Sequence, residues 1–121
     1  MATDTQTKEV LSRALSIIED HKNWTQGFMA RDGDNNEVTW SDPKATKYCL
    51  LGALWKASSQ SSPKEEKTRT EARREAEYKI EDILEKIPQE YENLNIESFN
   101  DNPETMHEDV IHILKETIER C

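Results

Sequence analysis

The sequence predicts a mainly α fold of about four helices around a central apolar helix, with a small β-hairpin near residues 28–40. Apolar residues recur at helical spacing in several segments that begin with capping signals. Residues 48–55 have no polar face, which is typical of a helix surrounded by protein. Turn-forming residues at 32–36 separate two short apolar segments, which is typical of a hairpin. The length of 121 residues fits one domain, residues 1–121.

The first helix is predicted at about residues 3–22. Thr3 and Gln6 stand at the two positions of a capping box, in which each side chain accepts a hydrogen bond from the other residue's backbone amide. Three- and four-residue spacing then predicts one buried stripe. Its members are Val10, Leu11, Ala14, Leu15, Ile17 and Ile18.

The hairpin is predicted from residues 28–31 and 37–40, which flank the turn. Two strands alone are marginally stable in water. We therefore expect the aromatic side chains Trp24, Phe28 and Trp40 to pack against the helices.

The second helix is predicted to begin after Asp42, a favourable N-cap residue, with Pro43 in its first turn, and to extend to Ala57. This start places Cys49 about two turns inside the helix. Gly52 costs about 1 kcal/mol relative to alanine within a helix. We expect it to allow another backbone or ring to approach closely.

The third helix is predicted from Pro63 towards Ile87, where Pro88 prevents continuation, with a capping box at residues 62–65. Its first half, residues 64–75, is almost entirely charged and is expected to project into solvent. Its second half is expected to bury Ala76, Ile80, Ile83, Leu84 and Ile87.

A connection at residues 88–104 is predicted to contain a turn at residues 100–103. Its apolar anchors are Tyr91, Leu94, Ile96 and Phe99. A capping box at residues 105–108 predicts the start of the last helix. The residues that this helix is expected to bury are Met106, Val110, Ile113, Leu114 and Ile118.

The net charge is −9, which disfavours binding to a phosphate backbone and favours a basic protein partner, or a protein that itself binds nucleic acid. The simpler role of this charge is to keep a small protein soluble. No apolar run is long enough for a membrane span, and the first residues lack the pattern of a secretory signal. The two cysteines, Cys49 and Cys121, occupy unlike contexts, which favours free thiols and a cytoplasmic location.

Three short stretches occur in a suggestive order: residues 23–27, residues 47–54 and residues 99–101 before a final helix. Together they resemble a family of small bacterial and phage proteins classed only as a domain of unknown function. The resemblance covers most of the chain except residues 58–75 and implies no activity. It does imply that seven residues converge in space: Trp24, Gln26, Gly27, Cys49, Gly52, Asn100 and Asp101.

Cys49 is a candidate nucleophile, and His107 and Asn100 could complete a catalytic set if the fold joined them. A nucleophilic cysteine needs a lowered pKa, usually from a helix N-terminus or an imidazole. Burial among leucines would raise the pKa instead, and a small buried side chain is the commoner role of free cysteine. Rapid labelling at Cys49 would favour the enzyme.

Metal sites are not expected. His107 and His112 are five residues apart, about 140° around a helix, so they do not face one zinc ion. The residues at 32–36 do not begin a complete calcium loop, because the glycine and glutamate positions of that pattern are occupied by Glu37 and Pro43. We expect no cofactor.

The remaining candidates for ligand or partner binding are Trp24, Gln26, Trp40, Asn100, Asp101 and His107. These residues could line a polar pocket, or Gln26, Asn100 and Asp101 could join loops structurally. The favoured function is a small non-enzymatic binding or regulatory protein, such as a phage-type inhibitor of a host factor or a small-ligand binder. One alternative is a small enzyme that uses Cys49 or Asp101 with His107. Another is an oligomeric interaction module in which the charged helix pairs between chains.

Overall fold

The computed structural model of the chain describes residues 2–86 and 95–121. Its helices are α1 (Asp4–Ile18), α2 (Leu50–Ser59), α3 (Glu66–Lys86), α4 (Ile96–Asp101) and α5 (His107–Arg120). Its strands are β1 (Ala30–Arg31), β2 (Glu37–Val38) and β3 (Lys47–Tyr48). This confirms the mainly α fold with a small β-hairpin. The predictions for Ile87, Tyr91 and Leu94 lie outside the described residues.

Helix α1 begins with the predicted capping box. The backbone amide of Thr3 donates to Gln6 Oε1 at 2.9 Å, and the amide of Gln6 donates to Thr3 Oγ1 at 3.1 Å. The helix ends at Ile18 rather than near residue 22. It ends early because Asp20 has extended backbone and its carboxylate accepts from the amide of Lys22, which starts a separate 3₁₀ turn.

Helix α2 is the centre of the fold, packed against α1, α3 and α4. Its buried apolar side chains are Leu50, Ala53, Leu54 and Ala57. The predicted start after Asp42 is wrong, because the Asp42 carboxylate accepts from the amide of Lys44 at 2.8 Å and closes a local turn instead. Cys49 is therefore the N-cap of α2 and not a residue two turns inside it.

The strands form a sheet in the order β2-β1-β3, with both pairs antiparallel. The β1–β2 pair is the predicted hairpin, with Ala30 opposite Val38 and Arg31 opposite Glu37. Trp24 and Trp40 pack against the core as expected, but the same expectation for Phe28 is wrong, since its side chain is exposed. Strand β3 was not predicted, because the sequence pattern placed its residues within a helix. Trp24 adds a parallel bridge to Tyr48 on the outer side of β3.

Gly52 lies against the backbone at Met29, which confirms the predicted close approach. A Cβ atom at Gly52 would lie 2.1 Å from the carbonyl oxygen of Met29. The same oxygen accepts from the amide of Cys49 at 3.1 Å. The start of α2 is thereby fixed to the segment that enters β1.

Helix α3 begins at Glu66, so the predicted capping box at residues 62–65 is wrong. Ser62 instead donates from both its amide and its hydroxyl group to the carboxylate of Glu9 on α1. The first half of α3 is also less exposed than expected. Ala72 is buried, and the Arg73 guanidinium lies over the ring of Trp55 at 3.9 Å from its centre.

The predicted capping box at residues 105–108 is wrong by one residue, because helix α5 begins at His107. The Asp109 carboxylate accepts from the amide of Met106 at 2.8 Å, so Met106 is the N-cap. The prediction that Met106 is buried is wrong, since it lies before the first turn of the helix and is 61% exposed. Within the described parts of the chain, no helix has the length and apolar character needed to cross a membrane.

Candidate functional site

Asn100, on α4, joins the segment after α1 to the start of α2. Its Oδ1 atom accepts from Trp24 Nε1 at 2.7 Å and from the amide of Leu50 at 3.0 Å. Its Nδ2 atom donates to the carbonyl oxygen of Thr25 at 3.1 Å and to Asp101 Oδ1 at 2.9 Å. The side chain is 0% exposed, and both its acceptor and donor capacities are used twice.

Gln26 and Gly27 extend this connection. Gln26 Nε2 lies within donating distance of three carbonyl oxygens, the nearest being that of Asn100 at 2.8 Å. The amide of Gly27, a residue with φ of 90°, donates to Asp101 Oδ1 at 2.9 Å. We call this set the Asn100 junction; its members are Trp24, Gln26, Gly27, Asn100 and Asp101.

His107 borders the Asn100 junction at the start of α5. Its Nε2 atom lies 2.7 Å from the carbonyl oxygen of Ile18, the last residue of α1. Because a carbonyl oxygen only accepts, the Nε2 atom carries the proton. The imidazole also lies near the rings of His21 and Trp24, with centroid distances of 5.2 and 5.8 Å.

Five of the six predicted binding residues therefore lie in one region, and Trp40 lies elsewhere. Trp40 packs on Trp55, with ring centroids 5.8 Å apart. The resemblance correctly implied that the members of the Asn100 junction come together. Their hydrogen bonds are made to one another and to neighbouring backbone, which corresponds to the structural alternative; a role in binding stays a prediction.

Cys49 lies next to this region, but no neighbouring group brings its pKa below the ordinary value for a thiol. Burial raises the pKa of the Cys49 thiol to about 11, although the amide of Gly52 donates to its sulfur at 3.2 Å. The side chain is 6% exposed. The thiol form therefore dominates at neutral pH, so Cys49 is not an activated nucleophile.

The turn at residues 32–36 uses its acidic side chain locally. Asp32 Oδ1 accepts from the amides of Asp34 and Asn36, both at 2.9 Å. These bonds, that from Asn36 above all, lower the pKa of the Asp32 carboxyl group. Across residues 2–86 and 95–121, no three His, Cys, Asp or Glu side chains are placed to hold a metal ion.

A groove of about 610 Å³ lies between α3 and α5, away from the residues that the sequence suggested. We call it the acidic groove. Its carboxylates belong to Glu75, Glu81, Asp82 and Glu85, and its cations to Lys79 and Arg120. Ile83 and Thr117 are buried at its floor, and Tyr78 at its edge is 67% exposed.

The sequence pattern does not predict the acidic groove, because on its own it indicates only a charged helix α3 with a buried C-terminal half. Tyr78 is the available signal: an aromatic residue between Glu77 and Lys79, outside the apolar spacing that contains Ala76 and Ile80. An aromatic residue off the buried stripe faces solvent or a partner.

A second aromatic cluster contains Trp40, Trp55 on α2 and Arg73 on α3. The Arg73 guanidinium, stacked on Trp55, is also paired with Glu77 at 2.5 Å. Burial nevertheless raises the pKa of the Glu77 carboxyl group, with Arg73 acting in the opposite direction. Trp55 Nε1 is buried and has no hydrogen-bond partner among the described residues.

The model of a protein family described as a family of unknown function, DUF6197, matches residues 2–120. The chain therefore belongs to this family, in agreement with the resemblance to a family of unknown function. No curated protein and no solved structure matches the chain.

Proposed function

We propose that this member of a family of unknown function is a non-enzymatic protein-binding module whose binding surface is the acidic groove. The observation that supports this proposal most directly is the exposed ring of Tyr78 beside four carboxylates and above a buried floor. The proposed partner is a protein that presents an arginine-rich segment. By covering that segment, the module would regulate or inhibit its partner.

The charge of α3 supports a basic partner. Residues 75–86 contain five carboxylates, at 75, 77, 81, 82 and 85, against lysines at 79 and 86, which gives a net charge of −3. The whole chain carries a net charge of −9. Such a field accelerates encounter with a cationic partner and repels an anionic one.

Tyr78 supports arginine rather than lysine in the partner. Tyrosine is favoured at protein interfaces because it combines a large apolar ring with a polar hydroxyl group. A guanidinium group stacks on an aromatic face and also pairs with a carboxylate through two parallel hydrogen bonds. Tyr78 and its acidic neighbours offer both kinds of contact.

The enzyme alternative receives less support from the geometry. The Cys49 thiol is protonated at neutral pH, and the Asp101 carboxylate accepts from Gly27 and Asn100. The hydrogen bond of the His107 ring runs to the carbonyl oxygen of Ile18 and not to either candidate. The oligomer alternative differs in the occupant of the groove, which would be a second copy of the chain.

The test measures the affinity of the full chain for a synthetic arginine-rich peptide by fluorescence anisotropy. We expect Tyr78→Ala and Glu85→Gln each to raise Kd by about tenfold, the size of a lost charged or aromatic contact. The control is Glu104→Gln, which removes an exposed carboxylate outside the acidic groove and should leave Kd nearly unchanged. Equal increases in Kd for Glu85→Gln and Glu104→Gln would mean that the peptide binds by nonspecific charge attraction. That result would contradict the proposal that the acidic groove is the binding surface.

A second copy of the chain is the competing occupant. Residues 66–74, the first part of α3, contain four basic and two acidic side chains, so the two halves of α3 have opposite net charge. Light scattering after size exclusion separates the cases. A chain that is monomeric at micromolar concentration supports a different protein as the partner. A dimer that Tyr78→Ala abolishes would show that a second copy of the chain occupies the groove instead.

A further inference from the structure

Four exposed residues of α3 form a row along the acidic groove, which we call the exposed stripe. Its members are Glu75, Tyr78, Asp82 and Glu85. They follow one another at intervals of three, four and three residues, so they lie within an arc of about 80° on the surface of the helix. All four line the acidic groove. The stripe therefore presents carboxylates on both sides of one aromatic ring.

The orientation of the exposed stripe is fixed by the opposite face of α3. On that face Ala76, Ile80 and Leu84 are buried in the core, and α3 packs against α1, α2 and α5. The helix cannot rotate about its axis without exposing these apolar side chains to water. The stripe thus offers its side chains in a constant order over about 15 Å, nearly three turns of a helix.

Two carboxylates of the stripe have lysine partners one turn away, and these pairs are exposed to solvent. Asp82 Oδ2 lies 2.9 Å from Lys86 Nζ, with the two side chains 60% and 64% exposed, and Glu75 Oε1 lies 4.0 Å from Lys79 Nζ. Exposed pairs of this kind contribute little to stability, so an incoming cation can share or replace the lysine. Among the described residues, no cation lies within 4.0 Å of Glu85.

The walls of the acidic groove are helices, and this determines which backbone conformation suits a bound segment. The backbone N–H and C=O groups along α3 and α5 bond within their own helices, so the walls have no open strand edge. An extended segment would gain no ladder of backbone hydrogen bonds there, whereas it would gain one at the edge of a sheet. A helical segment satisfies its own backbone groups and presents only side chains to the groove.

We propose that the segment bound by the acidic groove is an amphipathic α-helix with three arginines along one face, spaced to follow the exposed stripe. This inference rests on the proposed function of the groove. Residues four and then three positions apart share one face of a helix. The central arginine stacks on Tyr78. The outer two pair with Glu75 at one end and with Asp82 or Glu85 at the other.

Helix α5 restricts the cations of the partner to that one face. Arg120 lines the same groove and is paired with Glu116 at 2.9 Å. A partner cation turned towards α5 would approach Arg120 and be repelled. The partner helix therefore carries arginines on the side that faces α3, and uncharged or acidic residues on the side that faces α5.

The test compares two synthetic peptides of identical composition and about 15 residues, the length at which isolated helices become marginally stable in water. In one peptide the three arginines are four and then three positions apart. In the other they are two positions apart, which spreads them around a helix but aligns them on an extended chain. Fluorescence anisotropy with the full chain gives each Kd, and difference circular dichroism gives the helix content gained on binding. We expect the first peptide to bind about tenfold more tightly, the size of one charged contact, and to gain helix.

The outcomes separate the helical partner from the groove itself. Equal or tighter binding of the second peptide, with both affinities lowered by Tyr78→Ala, would overturn the helical partner but leave the groove as a binding surface. If neither peptide binds, the proposed function fails as well. A proline at the centre of the first peptide interrupts the helix and should remove the tenfold advantage. An advantage that persists would contradict a bound helix.

A double-mutant cycle then locates the peptide on the stripe. Glu85→Gln is combined with replacement of either outer arginine of the peptide by glutamine. A helix bound in one direction brings one of these arginines to Glu85, so one combination should be non-additive and the other additive. Glu104→Gln, at an exposed carboxylate outside the groove, is the control and should be additive with both. Additivity at both outer arginines, or equal coupling to both, would contradict a helix held in register with the stripe.

Discussion

The indole Nε1 atom of Trp24 donates to the side-chain oxygen of Asn100 at 2.7 Å, across 76 positions of sequence. The same oxygen accepts from the amide of Leu50, so one buried atom connects three separate parts of the chain. This atom defines the Asn100 junction more than any other. Substitutions at Asn100 and at Trp24 remove different hydrogen bonds of this atom, so their effects on stability can be measured separately.

Asn100→Ala should lower the free energy of unfolding by about 3 kcal/mol, because the indole N–H of Trp24 and the amide of Leu50 both lose their partner in a buried place. Loss of the indole hydrogen bond in Trp24→Phe should lower the free energy of unfolding by less, about 1 kcal/mol, because the Asn100 oxygen keeps its hydrogen bond from the amide of Leu50. Asn36→Ala, at an exposed asparagine, is the control. Urea denaturation gives the three values, and equal losses at 100 and 36 would contradict the junction.

Gly52→Ala should destabilise the protein by at least about 2 kcal/mol, because the added methyl group would collide with the carbonyl oxygen of Met29. The matched substitution is Gly33→Ala, where a Cβ atom meets nothing within 4 Å. We expect Gly33→Ala to be neutral or slightly stabilising, through a less flexible unfolded chain. Calorimetric melting of both variants checks the contrast, which a tolerated alanine at 52 would disprove.

Cys49 should react slowly with a thiol reagent while the protein is folded. At about pH 8 a thiol with a pKa of about 11 is almost entirely protonated, and its side chain is buried. Cys121 is half-buried and should account for the fast phase, although burial raises its pKa as well. In the variant Cys121→Ser, colorimetric labelling should show a fast phase only after denaturant is added; rapid labelling of the folded variant would restore the enzyme hypothesis.

Glu77 should make stability depend on pH in the sense opposite to an ordinary ion-paired carboxylate. Burial raises its pKa in the folded state, so the folded protein binds its proton more readily than the unfolded chain does. Its contribution is fully present below the ordinary glutamate pKa of 4.5 and is lost as pH rises through the higher folded value. The difference in unfolding free energy between the parent and Glu77→Gln should therefore fall from about pH 4 upwards. Urea denaturation at a series of pH values measures this difference, and a rising difference would contradict the assignment.

The elements that the sequence predicted well are those fixed by local pattern. Thr3 and Gln6 identify the start of α1 because both hydrogen bonds of the capping box lie within four residues. The hairpin follows from turn-forming residues between β1 and β2. The close contact at Gly52 was also predictable, because a glycine in an apolar helix costs stability unless space requires it.

The elements that the sequence did not predict depend on partners distant in sequence. Asp42 and Pro43 resemble a helix start, but β3 pairs with β1 and excludes a helix at residues 47–48. Ser62 resembles an N-cap, yet it contacts Glu9 on α1. The acidic groove likewise requires that α5 lie beside α3, which no local pattern specifies.

The sequence singled out the members of the Asn100 junction, but a role for them in binding stays a prediction. Trp24, Gln26, Asn100 and Asp101 stand out by residue type in segments predicted as loops, and they do come together. The predicted turn at residues 100–103 is wrong in its first two residues, because Asn100 and Asp101 end helix α4. Their type cannot show whether an amide faces a ligand or a buried backbone carbonyl, because the chemistry of the bond is the same. Only the placement of α4 against the segment after α1 decides it.

The separation between Trp24 and Asn100 also constrains how the chain reaches its fold during synthesis. Residues 24–27 leave the ribosome long before residues 100–105 exist, so the early part of the chain has its indole N–H and carbonyl groups without their native partners. Contacts of such high sequence separation form late and slow folding. A nascent chain stalled before Asn100 should therefore stay open at the start of α2, exposing apolar surface that a chaperone can hold.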